Sequence, residues 1–211
     1  MTDTTASTQV NALAKAATIL DSPGLDLLFR DARTHNVWTD RPVGEATLHQ
    51  LYNLMKMAPT SMNMCPVRII FVKSDAAKQR LKATLISGNV EKTMTAPVCA
   101  IIGHDLSFWE HLPRLFPHKD MRAMFRENPP MSDEAAFRNG TLQGGYFILA
   151  ARAVGLDCGP MSGFDNGAVD REFFAGSAVK SNFLCNLGYG DESSVFERAP
   201  RFDFDDVCQV L

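Results

Sequence analysis

No stretch of these 211 residues approaches the run of about 18 apolar residues that a membrane-spanning helix requires. Basic charge is equally scarce. The 21 Lys and Arg face 24 Asp and Glu, leaving a formal net charge of -3, whereas a nucleic-acid-binding face needs a basic excess. The five cysteines, Cys65, Cys99, Cys158, Cys185 and Cys208, are odd in number, scattered and never in a C-x-x-C pair. Four have apolar or small neighbours, which reads as inert, buried thiols in a reducing cytoplasm rather than as a disulfide framework or a zinc site. Among the five histidines, His111 and His118 are too far apart for one helical face, and no H-E-x-x-H occurs, so no metal site is expected. Met1 to Gln9 is rich in Thr and Ser and lacks the basic start and apolar run of a signal peptide.

The common catalytic signatures are missing as well. There is no G-x-x-x-x-G-K-[ST] phosphate loop and no G-x-S-x-G nucleophile elbow. Gly188-Tyr189-Gly190 is only a fragment of a dinucleotide fingerprint. If the chain is an enzyme, the reactive atom belongs to a bound cofactor.

What is present is an ordinary globular composition, 45% apolar and 21% charged, at a length suited to one sizeable domain. Apolar spacing predicts helices over Val10 to Leu20 and Leu25 to Arg33, separated by a break at Ser22-Pro23-Gly24. A further helix is expected over Glu45 to Met57, with Leu48, Leu51, Leu54 and Met55 on one side. Val67 to Val72, Pro97 to Ile102 and Phe183 to Leu187 read as buried strands, and Ala76 to Ile86 and Ala168 to Phe174 as helices. Asp133 to Val154 is the longest helix, and its stretch Leu142 to Ala151 is apolar nearly all round, hence central. Residues 104 to 131 mix aromatics, prolines and charges, which suggests an irregular or mobile excursion. Few strands with long helices between them give an α+β domain with a covered sheet.

The segment Gly159-Pro160-Met161-Ser162-Gly163-Phe164-Asp165 carries most information. Two glycines and a proline after a rigid apolar element can leave backbone N–H groups pointing outward, which suits a flat electron-accepting ring. Taken alone it also reads as a surface turn. Three distant segments share its flavour: Arg33-Thr34-His35 at a helix end, Ala58-Pro59-Thr60-Ser61-Met62-Asn63-Met64-Cys65-Pro66 between prolines, and Arg198-Ala199-Pro200-Arg201. Arginines, hydroxyls, amides and a glycine turn together could hold a ligand with a phosphate, a polyol chain and a flat ring.

In this order the segments resemble the FMN-dependent nitroreductase family, from about Phe29 to Arg201. Within it the chain is most similar to the malonic semialdehyde reductase branch of pyrimidine breakdown, through Leu115-Phe116-Pro117-His118, Phe173-Phe174-Ala175-Gly176-Ser177, Lys180-Ser181-Asn182 and Gly188-Tyr189-Gly190-Asp191. The resemblance implies a single nitroreductase-like domain, with residues 1–24 as an N-terminal extension and 104–131 capping the substrate. It implies a central mixed or antiparallel sheet covered by helices in an intertwined homodimer, with FMN at the subunit interface. NADPH or NADH would pass a hydride to flavin N5, and a small acceptor, malonic semialdehyde, would take it in the same space.

By the same resemblance Arg33 and Arg201 hold the flavin phosphate, with Arg198 as a helper, and Thr34 and His35 stand against the phosphate and ribityl chain. Pro59, Thr60, Ser61 and Asn63 come from the partner subunit. Asn89 and Lys92 fall on the pyrimidine edge, and Pro160, Met161, Ser162 and Gly163 lie against the ring, with the Ser162 or Gly163 N–H near N5. Lys92 reads equally as a cation for the flavin's N1 and O2 edge and as a solvated helix lysine. Many relatives carry Glu at the position of Ser162, and Ser and Lys at those of His35 and Val37. His111, Arg114, His118, Arg122 and Arg126 could meet a small carboxylate or be solvated charges. Phe108, Trp109, Phe116 and Phe125 could cap the flavin or serve as core. A non-catalytic flavin binder, and a flavin-free domain built around Cys65 or Cys158, remain as rival readings.

Overall fold

The structure is a computed structural model, and it describes residues 19–211. The chain separates into two compact units, Met1–Ala32 and Arg33–Leu211. In the first, Asp21 caps a short helix, α1 (Ser22–Leu25), by accepting from the Gly24 N–H, and Pro23 sits in its first turn. The expected break at Ser22-Pro23-Gly24 is therefore a helix start, because a proline's missing N–H costs nothing there. A wider turn, Asp26–Arg30, follows and ends at Asp31, short of the Arg33 expected. All but Ile19 and Leu20 of the helix expected over Val10 to Leu20 lies outside the described residues.

The second unit is built on four antiparallel strands in the order β1 (Val67–Val72), β2 (Val98–Asp105), β4 (Val179–Gly188), β3 (Asp157–Met161). Every residue of β2 is buried. Its side chains alternate: Val98, Ala100 and Ile102 join Leu48, Leu51, Met55 and Phe147 on one face, while Cys99 and Ile101 join Leu81, Val169 and Leu184 on the other. Helices α2 (Glu45–Met55) and α7 (Pro129–Ala153) cover the first face, and α3 (Asp75–Lys82) and α8 (Asn166–Phe173) the second. A nitroreductase-like α+β fold results, in which burial on both faces explains apolar runs where alternation would otherwise show.

Several boundaries move for identifiable reasons. Leu54 is exposed, so the buried stripe of α2 is Leu48, Leu51 and Met55 at helical spacing. The helix expected to Ile86 stops at Lys82, and a separate helix, α4 (Ser87–Thr95), follows. Helix α7 starts four residues early, because Pro129 and Pro130 fit its first turn and Asn128 caps it. The first three residues of Gly159 to Asp165 belong to strand β3. Pro160 is tolerated there because β3 is an edge strand of the sheet.

Residues 104–131 form short helical turns: Phe108–His111, α5 (Leu112–Leu115) and α6 (Arg122–Arg126). Phe108 and Phe125 meet edge to face, 4.9 Å between centroids, inside a buried cluster with Met64, Leu112 and Ala136. Of the two roles open to these phenylalanines, the core role is the one observed. Trp109 and Phe116 pack partly buried against the same cluster.

Phe147 is fully buried in the C-terminal part of α7 and stacks on Phe71 at 6.2 Å. Phe147→Ala should lower the unfolding free energy by about 3–5 kcal/mol. A urea midpoint within error of the parent would show that the cavity collapses freely.

Candidate functional site

The site grows from the buried C-terminus of α4. The last carbonyls of a helix have no partner within it and, when buried, must find one elsewhere. Trp38 Nε1 donates to the Lys92 carbonyl at 2.9 Å, and Asn186 Nδ2 on β4 donates to the same oxygen at 3.1 Å and to Thr93 Oγ1 at 3.3 Å. Lys78 Nζ covers the Met94 carbonyl at 3.2 Å and also donates to the Ala96 carbonyl. With its end fixed, α4 aims Asn89 and Lys92, one turn apart, along the same face.

Asn89 is buried and donates from Nδ2 to the Gly163 carbonyl at 2.8 Å, an oxygen that also accepts from the Ile86 N–H at 3.2 Å. Thr93 Oγ1 reaches Met161 Sδ at 3.6 Å. The Asp165 N–H binds the Thr84 carbonyl at 2.8 Å, and Asp165 then caps α8 through Ala168. The turn is thus held by its carbonyls and its far end, while the N–H groups of Ser162 and Gly163 take no partner among the described residues. Ser162 is exposed, and the Lys92 ammonium makes no hydrogen bond or ion pair among the described residues.

Thr34 and His35 run beside β3, not at a helix end. Thr34 bridges Cys158 in parallel, and the His35 N–H donates to the Cys158 carbonyl at 3.0 Å. The His35 ring is buried and turned inward. Its Nε2 lies 3.4 Å from Asp157 Oδ1, its Nδ1 has no partner, and Gly190 packs so closely on it that no Cβ fits. Arg33 donates to the Phe196 carbonyl, which ties it to the C-terminal segment. Arg201 folds back on the Ala199 and Pro200 carbonyls at 2.9 and 3.0 Å. Arg198 and Arg201 are both exposed.

The Pro59–Asn63 loop is elsewhere. It leads into β1, at the opposite edge of the sheet from β3. The Ser61 N–H donates to Asn139 Oδ1 at 2.9 Å, Asn63 Nδ2 to the Leu115 carbonyl at 2.9 Å, and the Cys65 N–H to Thr60 Oγ1 at 3.2 Å. Met62, Asn63 and Cys65 all have positive φ, at 50°, 49° and 40°. Such backbone costs about 1 kcal/mol or more per non-glycine residue, and the loop's own hydrogen bonds sustain it.

Of the thiols, Cys99, Cys158 and Cys185 are buried, Cys65 half-buried and Cys208 exposed, so three rather than four are sequestered. Burial pushes the Cys99 thiol up to about 12. Cys185 is raised by its hydrogen bond with Cys158 and by burial. Neither thiol is a nucleophile near neutral pH. Among the described residues no group of three or more His, Cys, Asp or Glu could hold a metal ion, and no helix is long and apolar enough to cross a membrane.

The family model described as Nitroreductase family matches residues 30–189, about three quarters of the chain. The chain belongs to the nitroreductase family. It is 58% identical over 193 residues to a Burkholderia lata protein named as a candidate NADH dehydrogenase/NAD(P)H nitroreductase, covering 92% of this chain and 99% of that one. A candidate nitroreductase from Bacillus subtilis superposes with a TM-score of 0.82 at 18% identity, over 90% of this chain and 100% of the other. A candidate nitroreductase from Exiguobacterium sibiricum, solved in complex with FMN, gives 0.78 at 17% identity, over 92% and 99%.

A Cβ on Gly163 would lie 2.6 Å from Asn89 Nδ2 and closer still to the Ile86 side chain. Ile86 can turn away, but Asn89 can move only by releasing the Gly163 carbonyl. Gly163→Ala should cost about 1–3 kcal/mol, read as a lowered urea midpoint. An unchanged midpoint would show that the turn and α4 are not locked together.

Proposed function

We propose that this chain is an FMN-dependent NAD(P)H oxidoreductase, a cytoplasmic homodimer with flavin at the subunit interface. The carrying observation is the pair of N–H groups at Ser162 and Gly163 that take no partner among the described residues, in a turn whose Gly163 carbonyl is held by buried Asn89. Family membership, the name of the Burkholderia lata relative and the FMN bound in the Exiguobacterium sibiricum structure support the cofactor and its reductant. When bound, FMN supplies hydride uptake from NADPH or NADH and hydride delivery to an acceptor. Arg33 and Arg201, with Arg198 beside them, would hold its phosphate, and Thr34 its ribityl end. His35 serves as a prop that keeps Arg33 and Thr34 against β3. Pro160, Met161, Ser162 and Gly163 would lie along the ring, their N–H groups and the Lys92 ammonium stabilising negative charge there.

The sheet itself argues for a second copy. Pro59, Thr60, Ser61 and Asn63 stand before β1, and the Ser162 turn follows β3, three interstrand spacings or about 14 Å away. That separation supports the reading in which a partner's loop, rather than the chain's own, meets the ring. Exposed Phe137, Leu142 and Tyr146 on α7, and Phe196, Phe202 and Phe204 in the C-terminal segment, leave apolar surface for a partner to cover.

For the acceptor we favour malonic semialdehyde, reduced to 3-hydroxypropanoate, on the sequence features shared with that branch. A broader nitro, quinone or enal reductase is the second reading. It is favoured by a cleft of about 390 Å³ beside Ser61, lined by Met62, Met64, Met124 and Met131, whose flexible thioethers adapt to varied apolar acceptors.

The purified protein should be yellow and bleach with NADPH or NADH; a yellow protein that neither bleaches is a flavin binder without the activity, and a colourless one that takes up no FMN sinks the cofactor as well. Comparing kcat/KM for malonic semialdehyde, short aldehydes and nitroaromatics decides between the acceptors. Arg33→Ala should weaken FMN retention by about 1.5–3 kcal/mol, the value of a charge-assisted contact; unchanged retention would remove Arg33 from the phosphate site. Phe202→Ser with Phe204→Ser should shift sedimentation from dimer towards monomer, and a dimer of parental stability would exclude the C-terminal segment from the interface.

A further inference from the structure

A second cavity, of about 360 Å³, opens between the end of α2, the start of β1, α5 and the middle of α7. Its lining includes Lys56, Arg68, Arg114 and His111, and no carboxylate. The balance is unusual for a chain of net charge -3. Arg68 is compensated: its Nη2 meets Asp105 at 2.6 Å, and its Nη1 donates to the Val67 and Cys65 carbonyls at 2.8 and 3.2 Å. Lys56 donates only to the neutral Asn53 amide, at 2.7 Å. Arg114 makes no ion pair or hydrogen bond among the described residues. Its neighbours in sequence differ: Arg122 is held by Asp120 at 2.7 Å, and Arg126 lies 3.6 Å from Glu127. The structure therefore singles out Arg114 among the arginines of this segment as the one without an acidic partner.

Gln143 on α7 supplies an independent sign. It lines the cavity with only 2% of its surface exposed. Its Oε1 accepts the Val67 N–H at 3.0 Å, which fixes the amide orientation and leaves Nε2 with no partner among the described residues. Nε2 is not among the buried atoms left without a partner, so it is open to the cavity and can donate to whatever occupies it. Two cations without an acidic partner among the described residues and a donor open to the cavity all suit an acceptor carrying negative charge.

We propose that this cavity is a binding site for a small organic oxyanion, a carboxylate or a phosphate. Arg114 would grip two of its oxygens in its planar fork, Lys56 would add a point charge, and Gln143 Nε2 would donate from the floor. The volume suits a molecule of several heavy atoms rather than a lone water. The proposal rests on the reading of residues 104–131 as the segment that meets substrate, to which His111 and Arg114 belong, and on no residue of the Ser162 turn or the Arg33 segment.

The test is calorimetric titration of the FMN-loaded protein with malonate and, separately, inorganic phosphate at low salt; loading fills any flavin-phosphate site first. One equivalent of at least one anion should bind per chain, and binding should weaken as salt rises. Arg114→Gln should weaken it about tenfold or more, the scale of one charge-assisted contact, with flavin retention and Tm unchanged; Lys56→Gln, on a different element, should act in the same direction. Binding of malonate alone identifies a carboxylate ligand, and binding of phosphate alone a phosphate. Absence of binding to the parent protein, or parental affinity in both variants, overturns the proposal. If the protein retains no FMN, the same titrations on the colourless chain decide it, so failure here and failure of the flavin reading are told apart.

Discussion

The carbonyl of Lys92 is the point on which the rest of the site depends. A helix C-terminus pressed against a sheet cannot turn to water, so its carbonyls need donors from other parts of the chain. Trp38 supplies one from the segment beside β3, and Asn186 another from β4. Those two bonds fix where α4 lies over the sheet, and thereby where Asn89 meets Gly163. Asn89 and Ile86 both hold the Gly163 carbonyl and the Phe164 N–H closes on the Ser162 carbonyl, so the turn is fixed without any side chain at position 162.

This dependence explains what could be read from the sequence and what could not. The strands at Val67, Val98 and Phe183 were legible because burial on both faces writes itself as an apolar run. Asn89, Lys92 and the glycine turn were legible as members of a family pattern. Strand β3 was not, since Gly159 and Pro160 are poor strand formers, and only pairing with β4 and the Thr34–Cys158 bridge on the other side makes them extended. Trp38 and Asn186 carried no local signal either: a tryptophan in a loop and an asparagine in a buried strand gain meaning only from the carbonyl they share. The inward turn of His35 depends on Gly190 lying against it, 155 residues later in the chain.

The two halves of the proposed flavin site differ in how they are made. The turn half is assembled by long-range bonds within one chain, among α4, β3 and β4. The loop half, Thr60 to Cys65, is self-contained: Thr60, Asn63 and Cys65 bond to one another, and Ser61 and Asn63 anchor it to Asn139 and Leu115. Three positive-φ residues in six are hard to explain by packing economy alone. A strained loop, held by its own hydrogen bonds at the sheet edge opposite β3, fits the proposed role of a part preorganised for another subunit.

That division bears on the missing glutamate. Relatives that carry Glu near the reacting nitrogen place a carboxylate among donors that must stabilise a flavin bearing negative charge, and the carboxylate opposes that charge. Here Ser162 leaves the turn without that opposition, and the Lys92 ammonium stands without an acidic partner among the described residues. If the turn lies against the flavin as proposed, a neutral side chain at 162 would leave the local field more positive than a carboxylate would, and would raise the potential of a bound flavin. The turn's shape is held by hydrogen bonds from Asn89 and Ile86 to the Gly163 carbonyl and from Asp165 to the Thr84 carbonyl, none of which uses the side chain at 162. Ser162→Glu should accordingly lower the potential of the bound flavin while leaving FMN affinity near the parental value, measured by dye-equilibrated reduction; an unchanged potential would place the side chain at 162 away from the ring.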